Sequence, residues 1–269
     1  MSVVLITGCS TGIGRELARV CAEAGDRVYA TMRDPSKAGD LGEVAGVTVL
    51  TLDVTDDESV AKAVDEALRR AGRLDVVVNN AGIDTLGAIE DIALDKVREI
   101  METNFFGALR VTRRVLPAMR AQGAGTIVMV TSVAAVFSSY GEGAYTASKR
   151  ALEGAAEVLQ NEAARWGIRV LVIRPGYVDT PIAGKSIPGS ASPSDSPYRE
   201  LIRAYGEQDQ RGVREGAPAA EIAREIREAY TEGSEAFYVP VGDDARQIVP
   251  WRRNAEDRQF LEQVPSVLG

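Results

Sequence analysis

Short apolar runs alternate with amphipathic stretches from the first residues onward. Residues 3–7 form a β-branched run that predicts a buried strand. Residues 12–24 then place Ile13, Leu17, Val20, Cys21 and Ala24 on one face, the spacing of a helix. Strands are expected at 27–31 and 47–52, the latter running out at Asp53. Thr55 or Asp56 is positioned to cap a helix that reaches about Ala71. Residues 74–78 are nearly all apolar, as suits a strand covered on both faces. A long helix is expected over 94–121, with Pro117 bending it or ending it early. Further strands are predicted at 126–131, 168–173 and 236–240, with another long helix over 144–166.

Such alternation predicts an α/β fold: a Rossmann-type, doubly wound parallel sheet of seven strands with helices on both faces. Ligands of this architecture bind at the carboxyl ends of the strands. Gly8, Asn79, Ser132 and Pro175 each follow directly on a predicted strand. No internal repeat or second domain interrupts the pattern, so 1–269 reads as one catalytic domain. Two regions leave the rhythm. Residues from Pro175 to about Arg214 are rich in Pro, Gly and Ser, and the stretch 181–214 is expected to be a lid, its charged part at 198–211 helical. The tail, about 241–269, carries a helix near 252–261 that packs on the domain or on a partner subunit.

The chain has 269 residues, 45% of them apolar, enough to bury a core without disulfides or metal. It contains no histidine, which removes the Ser-His-Asp triad, the Cys-His pair and nearly all catalytic zinc sites. No metal is expected. Acid–base chemistry therefore falls to Tyr, Lys, Asp, Glu or Cys. The two cysteines, Cys9 and Cys21, fit a reduced, cytoplasmic protein better than a disulfide framework. A net charge of −8 argues against sequence-independent nucleic-acid binding. Residues 121–141 are uncharged and long enough to span a bilayer, but their Gly, Ser and Thr content reads as a strand followed by a polar loop. No membrane or nucleic-acid partner is expected.

Chemistry concentrates in a few motifs. Tyr145 and Lys149 are one helical turn apart, and an ammonium beside a phenol is expected to lower the phenol's pKa from its ordinary value of about 10. Ser132 lies upstream at the mouth of the fifth strand, either a plain turn former or a partner of Tyr145 at one carbonyl oxygen. Thr7-Gly8-Cys9-Ser10-Thr11-Gly12-Ile13-Gly14 joins the first strand to the first helix. There Gly8 permits the tight turn, Gly12 lets backbone approach a pyrophosphate, and Gly14 allows close helix–strand packing. The second strand ends in Thr31-Met32-Arg33-Asp34. Met32 cannot accept a ribose hydroxyl, whereas Arg33 can clasp a 2′-phosphate, with Ser10 and Arg15 as further candidates. The other reading leaves Arg33 solvated and gives the ribose to Asp34. Asp53-Val54 either caps an adenine or is only a turn. Asn79-Asn80-Ala81-Gly82 can tie strands together while its backbone runs beside a ribose. Asn104, among apolar neighbours, needs a polar partner, and a water shared with Lys149 would serve.

Taken together these residues resemble the short-chain dehydrogenase/reductase family in its single-domain form, over about 1–240. The resemblance implies Asn104, Ser132, Tyr145 and Lys149 as a catalytic tetrad. Tyr145 would donate the proton, Ser132 hold the carbonyl oxygen, and Lys149 bind the nicotinamide ribose. It implies cofactor contacts from Gly8, Ser10, Gly12, Ile13, Gly14, Arg33, Asp53, Val54, Asn80, Ala81, Gly82, Tyr145, Lys149, Pro175, Gly176, Val178 and Thr180. Residues 28–34 resemble the NADP-preferring 17β-hydroxysteroid and retinol dehydrogenase branch, which favours NADP(H) over NAD(H). The expected function is hydride transfer between NADP(H) and a ketone or secondary alcohol. A non-redox lyase or epimerase, or a nucleotide-sensing scaffold, is the alternative on the same fold. The pocket is expected to be lined by residues 133–140, Asp84, Glu142, Tyr177 and the lid. Val136, Phe137 and Tyr140 favour an apolar or ring-bearing substrate, while Glu142 either meets a cationic or hydroxylated one or is solvated. Small residues of helix 144–166 (Ala144, Ala147, Ala151, Gly154, Ala155, Val158) predict a homodimer or homotetramer, or else packing on the subunit's own sheet.

Overall fold

A computed structural model describes residues 1–181, 193–232 and 236–267. The chain opens with β1 (Val3–Ile6), α1 (Gly12–Glu23), β2 (Arg27–Met32), β3 (Val47–Thr51), α2 (Asp57–Ala71) and β4 (Val76–Asn79). It continues through α3 (Leu94–Met101), α4 (Gly107–Gln122), β5 (Gly125–Val130), α5 (Gly143–Ala163) and β6 (Ile168–Pro175). The last part comprises β7 (Val178–Asp179), α6 (Arg199–Glu215), β8 (Ala217–Pro218), α7 (Ala219–Thr231), β9 (Tyr238–Val241), α8 (Asp243–Asn254) and α9 (Asp257–Val267). Seven strands form one sheet in the order β3-β2-β1-β4-β5-β6-β9, every pair parallel. The expected fold class is the observed one. A small parallel pair, β7 with β8, stands apart from it.

Period-two alternation within fully apolar strands divides the core into two layers. Val4, Ile6, Val28, Val128 and Ile173 join α1 and α7 on one face. Leu5, Tyr29, Val77, Ile127 and Val172 join α2, α4 and α5 on the other. Each such side chain contributes about 1.5–3 kcal/mol by leaving water, which is why the strands read as unbroken apolar runs. Asp56 caps α2, its carboxylate accepting from the amides of Glu58 and Ser59 at 2.8 and 3.1 Å.

The long helix expected over 94–121 runs without a break in helical geometry, and Pro117 does not end it. A single π-helical turn, Glu102–Phe106, joins α3 to α4, and α4 runs past Pro117 to the left-handed Gly123. Val111, Val115 and Met119, fully buried at four-residue spacing, hold it to the sheet across the missing amide. The helix expected near 252–261 is two helices, α8 and α9, parted at Ala255. They dock on this chain's own domain: Phe137, Trp251 and Phe260 form an aromatic cluster with centroids 5.9–6.4 Å apart. On α5 the small-residue stripe turns outward rather than onto the sheet. A Cβ added at Gly154 would meet nothing within 4 Å, and Val158 is 56% exposed, while Leu152 and Ala156 of the other face are buried. Ala144 alone of the stripe is buried. Among the described residues no helix is long and apolar enough to cross a membrane.

The expected lid is partly helical. Residues 182–192 lie outside the described residues, and α6 follows with Ile202 and Tyr205 buried against the body of the domain.

Candidate active site

The glycine turn between β1 and α1 is shaped by contacts a side chain would prevent. Gly8 sits at φ +76° and Gly12 at φ +61°, the left-handed region that favours glycine. A Cβ on Gly14 would fall 2.4 Å from Asn80 Nδ2, and one on Gly8 would fall 2.8 Å from Ala81 Cα. The turn is thus pressed against the end of β4. Asn80 fastens the two, its Nδ2 donating to the Thr7 carbonyl at 2.8 Å, while Thr7 Oγ1 accepts from the amides of Asn80 and Ala81 at 3.0 Å each. Asn79 donates to Thr112 Oγ1 at 3.0 Å. Both asparagines therefore do the strand-tying that their position suggests.

At the end of β5, Ser132 caps the short turn Val133–Ala135, its Oγ accepting from the Ala134 amide at 3.1 Å. The same hydroxyl hydrogen-bonds the phenol of Tyr145. Ser132 is turn former and Tyr145 partner at once. Tyr145 occupies the first turn of α5, and Lys149 lies one turn further along, 4% exposed. Lys149 Nζ donates to the Val130 carbonyl at 3.1 Å and stands 5.5 Å from the centroid of the Tyr145 ring. Asn104 rests in the π-helical turn. Its amide nitrogen donates to the Ile83 carbonyl at 2.9 Å and to Ser148 Oγ at 3.1 Å, and its oxygen accepts from the Ile83 amide at 2.9 Å. Within the protein its polarity is met by the Ile83 backbone and Ser148. Gly82 stands between this group and Lys149: its missing Cβ would lie 3.4 Å from Asn104 Oδ1 and 3.6 Å from Lys149 Nζ.

The electrostatics reverse one expectation. Tyr145 is pushed above the ordinary phenol value, not below it. Burial is the main cause, the charges of Asp84, Glu142 and Asp209 add to it, and the hydrogen bond to Ser132 opposes it. Lys149 moves down to about 8 because its ammonium is buried, although Asp84 and Glu153 pull the other way. A lysine so placed gives up its proton readily, and a nearby carboxylate array weakens its effect on the phenol.

One cavity of about 230 Å³ gathers most of the expected residues: Ile13, Asn80, Gly82, Ser132, Tyr145, Lys149, Pro175, Gly176, Val178 and Thr180. Gly12 closes its end against Thr180, where an added Cβ would meet Cγ2 at 3.1 Å. Ser10 is in the turn beside it. Asp53 and Val54 are not part of this lining. Asp53 accepts from the Thr55 amide and hydroxyl at 2.9 and 2.8 Å, a local turn, and Val54 is buried against Gly107. At the end of β2, Met32 is buried, while Arg33 is exposed and makes no hydrogen bond or ion pair with the described residues. Asp34 is occupied by the Ser36 amide and hydroxyl at 3.0 and 2.7 Å. Arg15 is also occupied, donating to the Ala38 carbonyl and pairing with Asp40. The groove from the glycine turn to Tyr145 is a cradle that side chains at Gly8, Gly12 and Gly14 would fill, so these residues fit a dinucleotide.

The outer wall draws on the segment expected to be a lid and on the tail. Tyr205, Gln208, Asp209 and Val213 come from α6, and Ile248 from α8. Asp84, Glu142, Phe137 and Tyr177, expected near the substrate, do line it.

The short-chain dehydrogenase family model matches residues 2–190. The oxidoreductase BOA17 of Botryotinia fuckeliana is 34% identical over 89% of this chain and 88% of its own length. Retinol dehydrogenase 8 of Bos taurus is 39% identical over 74% of this chain and 68% of its own. A short-chain dehydrogenase structure from Streptomyces avermitilis superposes with a TM-score of 0.83 at 30% identity, covering 99% of this chain and 98% of that one. Two Burkholderia neighbours differ in cofactor. The B. cenocepacia enzyme is in complex with NADP (TM-score 0.76, 27% identity, 98% and 97% covered). The B. phymatum enzyme is in complex with NAD (TM-score 0.82, 25% identity, 99% and 95% covered).

Proposed function

This chain belongs to the short-chain dehydrogenase family, and we propose that within it the protein moves a hydride between NADP(H) and a ketone or secondary alcohol. The observation that carries this reading is the meeting of Ser132, Tyr145 and Lys149 in one cavity that runs back to the glycine turn. When bound, the nicotinamide supplies or accepts the hydride. The chain's own groups handle the proton and the position of the carbonyl. Ser132 holds the substrate oxygen and Tyr145 gives it the proton, two donors aimed at the atom where charge develops. Lys149 would hold the ribose of the bound cofactor beside Tyr145. Pro175, Gly176, Val178 and Thr180 wall the nicotinamide side, and Gly8, Ser10, Gly12, Ile13 and Gly14 take the pyrophosphate.

NADP over NAD rests on three neighbours at one strand end. Met32 is turned into the core, Asp34 is engaged with Ser36, and Arg33 is left exposed for a 2′-phosphate. Removing that guanidinium should cost NADP about 1.5–3 kcal/mol of binding and leave NAD nearly unchanged. A cytoplasmic homo-oligomer built through the outward face of α5 completes the reading.

The test is Tyr145→Phe. Turnover should vanish while NADPH affinity stays within a few-fold, measured by fluorescence titration. Activity near that of wild type would overturn the assignment. Steady-state kinetics with both cofactors test the second part, and better use of NAD by the unaltered protein would refute the role given to Arg33.

A further inference from the structure

We propose that the substrate carries a positive charge: the cavity takes a carbonyl or alcohol compound bearing an ammonium group, held by Glu142, Asp209 and Asp84 against the rings of Tyr177 and Tyr205. This rests on the reading of the cavity as the substrate site, so the carboxyls are not used to infer that a ligand binds. They decide what charge it bears.

Three elements deliver the carboxyls. Asp84 comes from the loop after β4, Glu142 from the residue before α5, and Asp209 from the inner side of α6. All three line the same cavity as Tyr145, and the only ammonium or guanidinium in that lining among the described residues is Lys149, which donates to the Val130 carbonyl. None of the three makes an ion pair among the described residues. Asp84 accepts only from the Thr85 amide at 2.6 Å, while Glu142 and Asp209 hydrogen-bond tyrosine hydroxyls of the wall, Tyr205 and Tyr177.

Two buried carboxylates of this chain are closed by cations. Buried Glu153 is clasped by Arg174 through two bonds of 2.8 Å, and buried Asp26 by Arg227 at 3.0 and 3.2 Å. An ionised carboxylate drawn away from bulk water is stabilised by a cation, and without one it keeps a proton instead. Among the described residues Lys149 acts on Asp84 and no cation acts on Glu142 or Asp209, so a cationic ligand completes the set. The aromatic wall points the same way. Tyr177 and Tyr205 present rings beside the carboxyls, and a tyrosine face attracts an ammonium through its quadrupole. A volume of about 230 Å³ admits a small molecule.

Protonation follows from the same crowding. Burial raises Asp84 to about 7 and Glu142 to about 8, with the neighbouring carboxylates adding to the effect. Asp209 is raised by burial too, while Tyr145, Tyr177 and Tyr205, which face the group, stay neutral and Lys149 titrates near 8. The open cavity therefore stores protons that an ammonium ligand displaces, and its affinity should rise with pH until the carboxyls are ionised.

Calorimetric titration of the NADPH-loaded protein with phenethylammonium and with 2-phenylethanol, which share a skeleton and differ in charge, tests the idea. Above the Glu142 value of about 8, the ammonium should bind at least roughly tenfold more tightly than the alcohol. Glu142→Gln and Asp209→Asn, isosteric changes whose folding is checked by thermal melting, should each erase most of that advantage without weakening the alcohol. Equal affinity, a preference for the alcohol, which would mark a site for hydroxylated compounds, or binding of neither overturns the proposal. The readout does not depend on turnover. If the ammonium is preferred but no carbonyl compound, charged or neutral, changes the nicotinamide absorbance, the oxidoreductase reading fails and the charge preference stands.

Discussion

Two glutamates flank the reacting turn of α5, and the chain treats them in opposite ways. Glu153, behind Lys149, is 7% exposed and fully engaged: Arg174 donates twice to it, and Thr131 Oγ1 donates once at 3.0 Å. Arg174 in turn lies 3.7 Å from the ring centroid of Tyr238. Glu142, in front of Tyr145, has one tyrosine hydroxyl and two like-charged neighbours. The rear site is closed electrostatically and serves the fold by fixing β6 to α5. The front site is left without a cation among the described residues, so its carboxyl keeps a proton unless a cationic ligand replaces it. Glu153 is buried and Glu142 partly so, and the cation at one and its absence at the other set their roles apart.

That contrast can be broken most forcibly from the rear. Arg174→Ala leaves Glu153 buried without its cation and should lower stability by about 3–5 kcal/mol in urea unfolding. A loss below 1 kcal/mol would mean that the pair is not closed as described. The front should respond with the opposite sign. The Glu142 carboxyl is raised to about 8 in the fold from an ordinary 4.5, so it favours folding fully below 4.5 and loses that contribution as pH rises through 8. Glu142→Gln should therefore be more stable than wild type above pH 8, by about 1–3 kcal/mol, with the gain fading toward pH 4.5. A uniform loss at all pH values would show that the carboxyl is compensated after all.

Smaller effects sharpen the division. The charge of Glu153 helps to keep Lys149 protonated, so Glu153→Gln should move the alkaline limb of the kcat/KM profile to lower pH. An unmoved limb would confine Glu153 to a purely structural part. Finally, the two glutamates lie roughly 16 Å apart along the helix axis, at 1.5 Å per residue. Their effects on stability should add to within about 0.5 kcal/mol in the double variant, and a larger coupling would join the two sites into one network.

Much of the rear half was legible in the sequence, and little of the front. The glycine turn, Asn80 and the Tyr145–Lys149 spacing announce themselves because backbone geometry leaves few residue types that fit: φ +76° at Gly8, a near-contact at Gly14, one helical turn between two side chains. The buried strands were readable as apolar runs for the same reason. Three features were not. Pro117 looked like a breaker, but packing of Val115 and Met119 outweighs a lost amide. Helix α7 went unread, although Ile222, Ala223, Ile226, Ala229 and Tyr230 repeat at helical spacing and cover the sheet over α1. Asp209 fell within the expected lid without being singled out, since its meeting with Asp84 and Glu142 depends on how α6 docks, which no local pattern encodes.

The docking of the C-terminal helices has an optical consequence. Of the two tryptophans, Trp166 is 44% exposed at the end of α5, sandwiched by the guanidinium groups of Arg120 and Arg165. Trp251 instead touches Phe137, whose other side lines the cavity. One indole is thus a fixed reference and the other an emission sensor set directly behind the pocket. In a Trp166→Phe protein, the colour of the remaining fluorescence should report each filling of the cavity, with no label attached and no reaction taking place.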